Sequence, residues 1–312
     1  MKKYSKVLSL ALAFVMLFAL CACGAAETPA AEPTAAPAAD APASEAPAET
    51  EAPAESQGVL DQIKADGVLY VTLSPDFAPM EFVDSSKDGQ EQYVGFDVTL
   101  AKYIADYIGV DLVIEPMSFD ACQTAVYTGS VPMSISGYSW TEERGENYEI
   151  SDYYYAGDNE TEQVILIKKT DADKYTSAED FSGVDVGAQN ASLQMNLLTS
   201  QLPDANPITI GDLGVGVLEL QNGSIEALAV AKGNAEMIIE SNPDLMICSW
   251  EFEVAAEYEA NVILITKGET ALLNVVNEAL AKAYADGLYG TWYEDAVALA
   301  KSENAAEVSV ED

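Results

Sequence analysis

Arg144 is the only arginine in a chain of 312 residues that also holds 13 lysines and no histidine. A chain that uses lysine wherever a bare positive charge suffices keeps its one guanidinium for a position that needs a planar fork. The partner that fits two parallel N–H donors is a carboxylate. The competing use is a surface ion pair with Glu142, Glu143, Glu146 or Glu149, contributing ~0–1 kcal/mol. Residue types alone leave the two open. Ser192 stands where a strand pattern gives way to a helix from Leu193. A helix N-terminus offers unpaired N–H groups and a positive dipole end to an anion. The same serine serves equally as a helix cap. The missing histidine excludes Ser-His-Asp and Cys-His nucleophile systems and every imidazole-ligated zinc site. Asp158, Glu160 and Glu162 lack the glycine and bidentate-glutamate spacing of a calcium loop and read as a solvated acidic loop. No metal and no cofactor is expected. With 52 acidic against 14 basic residues the chain carries −38, which repels phosphate backbones and excludes nucleic acid as a partner.

The body that positions these residues begins well inside the chain. Lys2, Lys3 and Lys6 precede the apolar run Val7 to Leu20, which reads as a secretory signal over 1–23 and is short for a membrane span. The run ends in Leu20-Cys21-Ala22-Cys23-Gly24, which resembles a bacterial lipobox with Cys23 as the lipidated residue; simple secretion after a small-residue cleavage site is the alternative. Two acyl chains would make the anchor stable. Positions 25–57 hold 14 Ala, 6 Pro and 7 acidic residues but no aromatic residue and no Val, Ile or Leu, so they cannot bury enough apolar surface to offset ordering. A disordered tether over 24–57 is expected, followed by a folded part that itself carries −34 over residues 58–312.

From Gly58 onward, helix-period and strand-like segments alternate. The pattern predicts helices over 59–65, 97–109, 120–128, 192–202, 214–222, 233–241 and 270–286. Strands are expected over 68–73, 110–115, 133–136, 163–168, 184–188, 225–230, 245–248 and 261–266. Alternation of this kind implies βαβ units in mostly parallel sheets, hence an α/β protein, and 255 residues divide more naturally into two lobes than into one sheet.

Six stretches occur in an order found in one family: Phe77-Ala78-Pro79-Met80-Glu81-Phe82, Gly95-Phe96-Asp97-Val98, Thr141-Glu142-Glu143-Arg144, Ile150-Ser151-Asp152-Tyr153-Tyr154, Gly187 to Gln194, and Asn242-Pro243-Asp244-Leu245. Together they resemble the amino-acid type (family 3) of extracellular solute-binding proteins, the receptors of ATP-driven (ABC) importers. The resemblance implies a two-lobed periplasmic-binding-protein-like (type II) fold. Lobe 1 would be 58–162 plus 262–306, lobe 2 163–261, and 307–312 a tail, with crossing strands near Gln163–Lys168 and Asn261–Thr266. It implies that Arg144 grips a ligand carboxylate, with Ser192 and Leu193 meeting it from the second lobe. Ser136, Gly137 and Ser139 would complete the pocket floor, and Phe77 and Phe119 would flank the ligand side chain; for Phe119, core packing is nearly as good a reading.

Four positions depart from the family pattern. Ser74 stands where receptors for basic amino acids carry Asp, which makes Lys and Arg less expected as ligands. Ala191 replaces a turn glycine. Ala231 stands where the family has the acidic residue that pairs with the ligand ammonium, so either Asp76, Glu81 or another acid substitutes, or the ligand lacks an α-amino group. Pro132, where the family usually has Asp, is expected to act only locally. The implied function is a lipid-anchored, extracytoplasmic, monomeric receptor for an amino acid or similar carboxylated solute, delivering to a permease and its ATPase. It would not be an enzyme. The alternatives are a cyclic-acid dehydratase-like enzyme on the same fold and a non-transport sensor or partner lipoprotein. Cys122 and Cys248 fall in different lobes and are expected as separate buried thiols.

Overall fold

The computed structural model describes residues 58–154, 162–258, 260–302 and 305–306. The signal, Cys23, the 24–57 tether, Asp158, Glu160 and the 307–312 tail lie outside the described residues.

Two five-stranded sheets organise the body. The chain enters through α1 (Val59–Asp66), β1 (Val68–Leu73), β2 (Asp76–Phe77), β3 (Glu81–Asp84), β4 (Tyr93–Val94), α2 (Phe96–Ile108), β5 (Asp111–Pro116), α3 (Phe119–Tyr127), β6 (Met133–Ser139), α4 (Glu142–Asn147) and β7 (Glu149–Ile150). It crosses to the second lobe, which holds β8 (Gln163–Lys168), β9 (Asp185–Gln189), α5 (Leu193–Gln201), β10 (Asn206–Ile210), α6 (Leu213–Asn222), β11 (Ala227–Ala231), α7 (Lys232–Ser241) and β12 (Leu245–Ile247). The return adds β13 (Asn261–Ile265), α8 (Thr270–Ala285), α9 (Leu288–Ala300) and β14 (Ala305–Ala306). The first sheet runs β5-β1-β6-β13-β7 and the second β10-β9-β11-β8-β12, while β2, β3, β4 and β14 form a small sheet beside the first.

Both large sheets are mostly parallel, each with one strand running against the other four. β13 runs antiparallel to β6 and β7, and β8 antiparallel to β11 and β12. These are the two strands that arrive from the other lobe and therefore enter their sheet against its direction. Gln163–Lys168 and Asn261–Ile265 are thus sheet strands, and the crossings precede them, between Ile150 and Gln163 and between Ile247 and Asn261. Tyr154 and Asn261 pair as an antiparallel bridge, so the second crossing is bound to the first where it re-enters lobe 1. Asn261 accordingly belongs to the first sheet.

Helices pack on both faces of each sheet, and the burial follows. Leu69, Val71, Leu100, Ile104 and Val276 fill one side of the first sheet; Cys122, Val126, Tyr138 and Leu264 fill the other. Val186, Leu198 and Phe181 lie on one side of the second sheet, and Leu213, Leu220, Leu228 and Ile238 on the other. β11 and β13 are buried at every residue, as central strands covered on both faces must be. Cys122 and Cys248 are separate buried thiols; burial pushes them up to about 12 and about 11, out of the reactive range.

One glycine fixes the join between the small sheet and α2. Gly95 has φ +122°, and its backbone lies so close to the Met80 carbonyl that a β-carbon would collide with it. That approach lets Phe96 N–H donate to Pro79 O at 3.1 Å and Asp97 N–H to Met80 O at 2.8 Å, which delivers the Asp97 carboxyl beneath β6.

Candidate functional site

The C-terminal end of β6 and the short helix α4 carry the floor of the site. Thr141 caps α4, its hydroxyl accepting from the Arg144 N–H at 3.2 Å, and this turns the Arg144 side chain inward. Arg144 is only 5% exposed. Its Nη1 donates to Ser139 O at 2.7 Å, Nη2 to Ala191 O at 2.9 Å and Nε to Gln123 Oε1 at 3.2 Å. The guanidinium lies 5.1 Å from the centre of the Tyr138 ring and 5.7 Å from that of Phe119, within cation–π range. Arg144 is thus a buried cation on the cleft side rather than a solvent-exposed surface group. Ala191 belongs to the second lobe, so Arg144 spans the cleft.

A cavity of about 20 Å³ opens beside it, lined by Phe77, Phe119, Ser136, Gly137, Ser139, Arg144, Gln189, Leu193 and Gln194. Seven of the residues that sequence analysis nominated therefore meet at one place. Phe77 packs against the cores of both lobes, and Phe119, 5.0 Å from Tyr138, is at once cavity wall and core. Ser192, nominated as a ligand contact, lies behind the wall as the cap of α5, its Oγ accepting from Met195 N–H at 3.1 Å. Ser74 also lies behind the wall: its N–H donates to Ser136 Oγ at 3.0 Å and its hydroxyl to Asp76 Oδ1 at 2.7 Å. Ala231 is fully buried at the end of β11, opposite Gln163.

Sequence reading missed the amides. Gln189 Nε2 donates to Asp76 Oδ2 at 2.8 Å across the lobes, Gln194 Nε2 to Gln163 Oε1 at 2.6 Å, and Gln123 holds Arg144. Gln123 follows Phe119 by one helical turn, so its spacing could have found it. The two wall glutamines sit inside a stretch that sequence analysis did single out.

Three buried carboxyls stand behind the floor. Asp76 accepts from Ser74 Oγ, Gln189 Nε2 and the Leu213 N–H at the start of α6; burial, helped by the nearby Asp212, pushes it up to about 7. Glu81 accepts from Ser136 Oγ, and burial followed by repulsion from Asp97 raises it well above the carboxylate range. Asp97 accepts from Gly137 N–H at 2.8 Å and Tyr154 Oη at 3.1 Å and is likewise raised by burial. Glu81 and Asp97 lie close enough to repel each other, which favours a proton on one of the two. Of the acidic loop, Glu162 pairs with Lys232.

A profile of bacterial extracellular solute-binding proteins, family 3, matches residues 69–296. The chain belongs to this family. Solved structures agree with it in fold. An amino acid ABC transporter substrate-binding protein, AbpA from Streptococcus pneumoniae, bound to L-arginine, superposes with a TM-score of 0.71 at 32% identity, over 78% of this chain and 100% of that one. An ancestral amino-acid-binding protein, a precursor of cyclohexadienyl dehydratase, gives 0.65 at 30% identity over 76% and 98%. Among curated proteins, a probable histidine-binding protein of Campylobacter jejuni is 26% identical over 72% of this chain and 82% of its own length. The family 3 protein described here is thus a two-lobed, extracytoplasmic solute-binding protein of the kind that serves ABC transporters. Among its described residues no helix is long and apolar enough to cross a membrane.

Proposed function

We propose that the protein captures an amino acid, or a closely similar carboxylated solute, between its lobes and presents it to an ABC permease driven by its ATPase. The observation that carries this reading is Arg144. Its buried guanidinium is held by two backbone carbonyls and one amide oxygen at a cavity wall. A ligand carboxylate taking the place of the Ala191 carbonyl brings a full opposite charge in the bidentate geometry that a guanidinium fits. Ser136, Gly137 and Ser139 surround the rest of the ligand from lobe 1. Phe77 and Phe119 flank its side chain, while Leu193 and the Ser192-capped start of α5 close over it from lobe 2. A space of about 20 Å³ holds roughly one water. Ligand entry therefore requires the lobes to separate about their two crossings, and differential contacts in the closed form drive closure.

The relatives that bind arginine or histidine support a zwitterionic ligand, while Ser74 and Ala231 set this chain apart from the family pattern. A dehydratase-like reading would need an acid and a base facing one cavity. The Glu81–Asp97 pair stands behind Ser136 and Gly137 instead, which supports a binding role. The remaining elements of the reading are a lipid anchor at Cys23, a free tether over 24–57, lobes bounded near 162 and 261, and a monomer as the working unit. Thermal-shift screening against the twenty amino acids, small dicarboxylates and amine-free acids tests it. A ligand at ~1,000 times Kd stabilises by about 4 kcal/mol. Silence across the panel would overturn the reading.

A further inference from the structure

An amino acid brings an ammonium as well as a carboxylate, and a buried ammonium requires an anionic or multiply accepting partner. Among the described residues that line the cavity there is one cation, Arg144, and no carboxylate. Three acids bond directly to wall residues: Glu81 to Ser136, Asp97 to Gly137 and Asp76 to Gln189, and the one whose wall contact comes from the second lobe is Asp76. The wall amide of Gln189 donates to its Oδ2 at 2.8 Å, while Ser74 Oγ and Leu213 N–H hold it at 2.7 and 2.8 Å.

These contacts divide by lobe. Gln189, at the end of β9, and Leu213, at the start of α6, belong to the second lobe; Asp76, Ser74 and Arg144 belong to the first. Separation of the lobes removes both second-lobe donors together and leaves Asp76 on the open face of lobe 1 with its Ser74 contact. Lobe 1 then presents two charges of opposite sign, Arg144 beyond the end of β6 and Asp76 beside its Ser136, with Ser136, Gly137 and Ser139 between them. That is the charge pattern of a zwitterion in reverse. Gln189 Nε2 occupies, in the closed structure, the place of a ligand N–H donor.

The other acids are worse placed. Glu81 and Asp97 bond to Ser136 and Gly137 of their own lobe, contacts that separation of the lobes does not break. Ala231 offers a methyl group. Burial holds the Asp76 carboxyl near 7, and a cation beside it would draw it back down, so the site gains from a positive guest.

We infer that Asp76 is the specificity-determining partner of the ligand ammonium, received where the Gln189 amide now sits. The inference rests on the amino-acid reading above. The test is calorimetric titration at pH 8 with L-arginine, L-histidine and L-glutamine, each beside its deamino counterpart: 5-guanidinopentanoate, imidazolepropionate and glutaramate. The protein should prefer an amino form by at least about 30-fold, and Asp76→Asn should reduce that preference to less than about threefold. Asp76→Ser gives the same reading if Asp76→Asn does not fold. A mere latch role would weaken both members of a pair equally, leaving the preference intact, and that result would overturn the inference. So would equal wild-type affinity for both members, although the Arg144 carboxylate site would stand. Failure of the wild type to bind any of the six compounds, or any compound of the wider screen, would instead sink the amino-acid reading itself.

Discussion

The two walls of the cleft are built from different chemistry. Lobe 1 carries the charge: Arg144 on the cavity surface and Asp76, Glu81 and Asp97 directly behind it, all at most 5% exposed. Lobe 2 contributes the Ala191 carbonyl, the Gln189 and Gln194 amides, the Leu213 N–H and the Leu193 side chain, none of them ionisable. Charges are costly to bury and must be fixed by surrounding hydrogen bonds before a ligand arrives. Neutral dipoles tolerate repeated exposure and reburial at smaller cost. The lobe that holds the charges is accordingly the one on which a ligand can be oriented, and the other lobe is suited to closing over it.

The largest expected effect breaks this division at its centre. Arg144→Ala should weaken ligand binding by ~3–5 kcal/mol, because truncation leaves a buried carboxylate without its partner. That corresponds to roughly two to three and a half decades in Kd by titration calorimetry. An affinity within threefold of wild type would mean that the charge on lobe 1 is structural only.

Asp76 gives the next largest effect, this time on folding. Its carboxyl titrates at about 7 in the folded protein against 3.8 when free. Protonation therefore favours the folded form: the contribution is fully present below the free value and fades as pH rises towards about 7. The shift amounts to ~4 kcal/mol at most. The ligand-free protein should melt higher at pH 5.5 than at pH 8, with relief of repulsion across a net charge of −38 acting in the same direction. Asp76→Asn should raise the melting midpoint at pH 8 and flatten this dependence. A variant that melts lower than wild type at pH 8 would show that the ionised carboxylate stabilises the interlobe contact more than its burial costs.

Much of this contrast was legible in the sequence on the lobe 1 side and little of it on the lobe 2 side. A single arginine is a signal of residue type and pointed to Arg144, while Ser136, Gly137 and Ser139 followed from the family resemblance of the stretches around it. Lobe 2 acts through backbone groups and amides, which leave no comparable mark. The Ala191 carbonyl, for example, is presented by a conformation rather than by a side chain. The same limit applied to the fold. Long periodic helices and apolar strands were readable, but the antiparallel entry of β8 and β13 depends on where the chain comes from. β2, β3, β4, β7 and β10 are too short or too polar, and α9 too interrupted by Gly290, to announce themselves. Ser192 and Ser74 show a finer limit: residue type does not reveal that Ser192 Oγ accepts from Met195 N–H and that the Ser74 hydroxyl donates to Asp76.

Ala191 offers a smaller test on the neutral wall. It is the only non-glycine residue with positive φ among those described, at +56°, and the left-handed region costs a residue with a β-carbon ~1 kcal/mol relative to glycine. Ala191→Gly should therefore raise folding stability by about that amount, visible as a higher denaturant midpoint with an unchanged slope. No gain would indicate that the looser unfolded chain offsets the relief.

The smallest effect is expected at the rim, where Lys301, just after α9, meets Glu240 of α7 at 3.1 Å, with the two side chains 45% and 52% exposed. This pair also crosses from one lobe to the other, so it separates charge at the cleft from charge in general. Water screens both groups, and an exposed pair contributes only ~0–1 kcal/mol. Lys301→Ala should change Kd by less than about threefold, and even that difference should vanish at high salt. A tenfold loss that persists in high salt would mean that closure is governed by the rim, and the division between a charged, orienting lobe and a neutral, closing one would no longer describe how the cleft works.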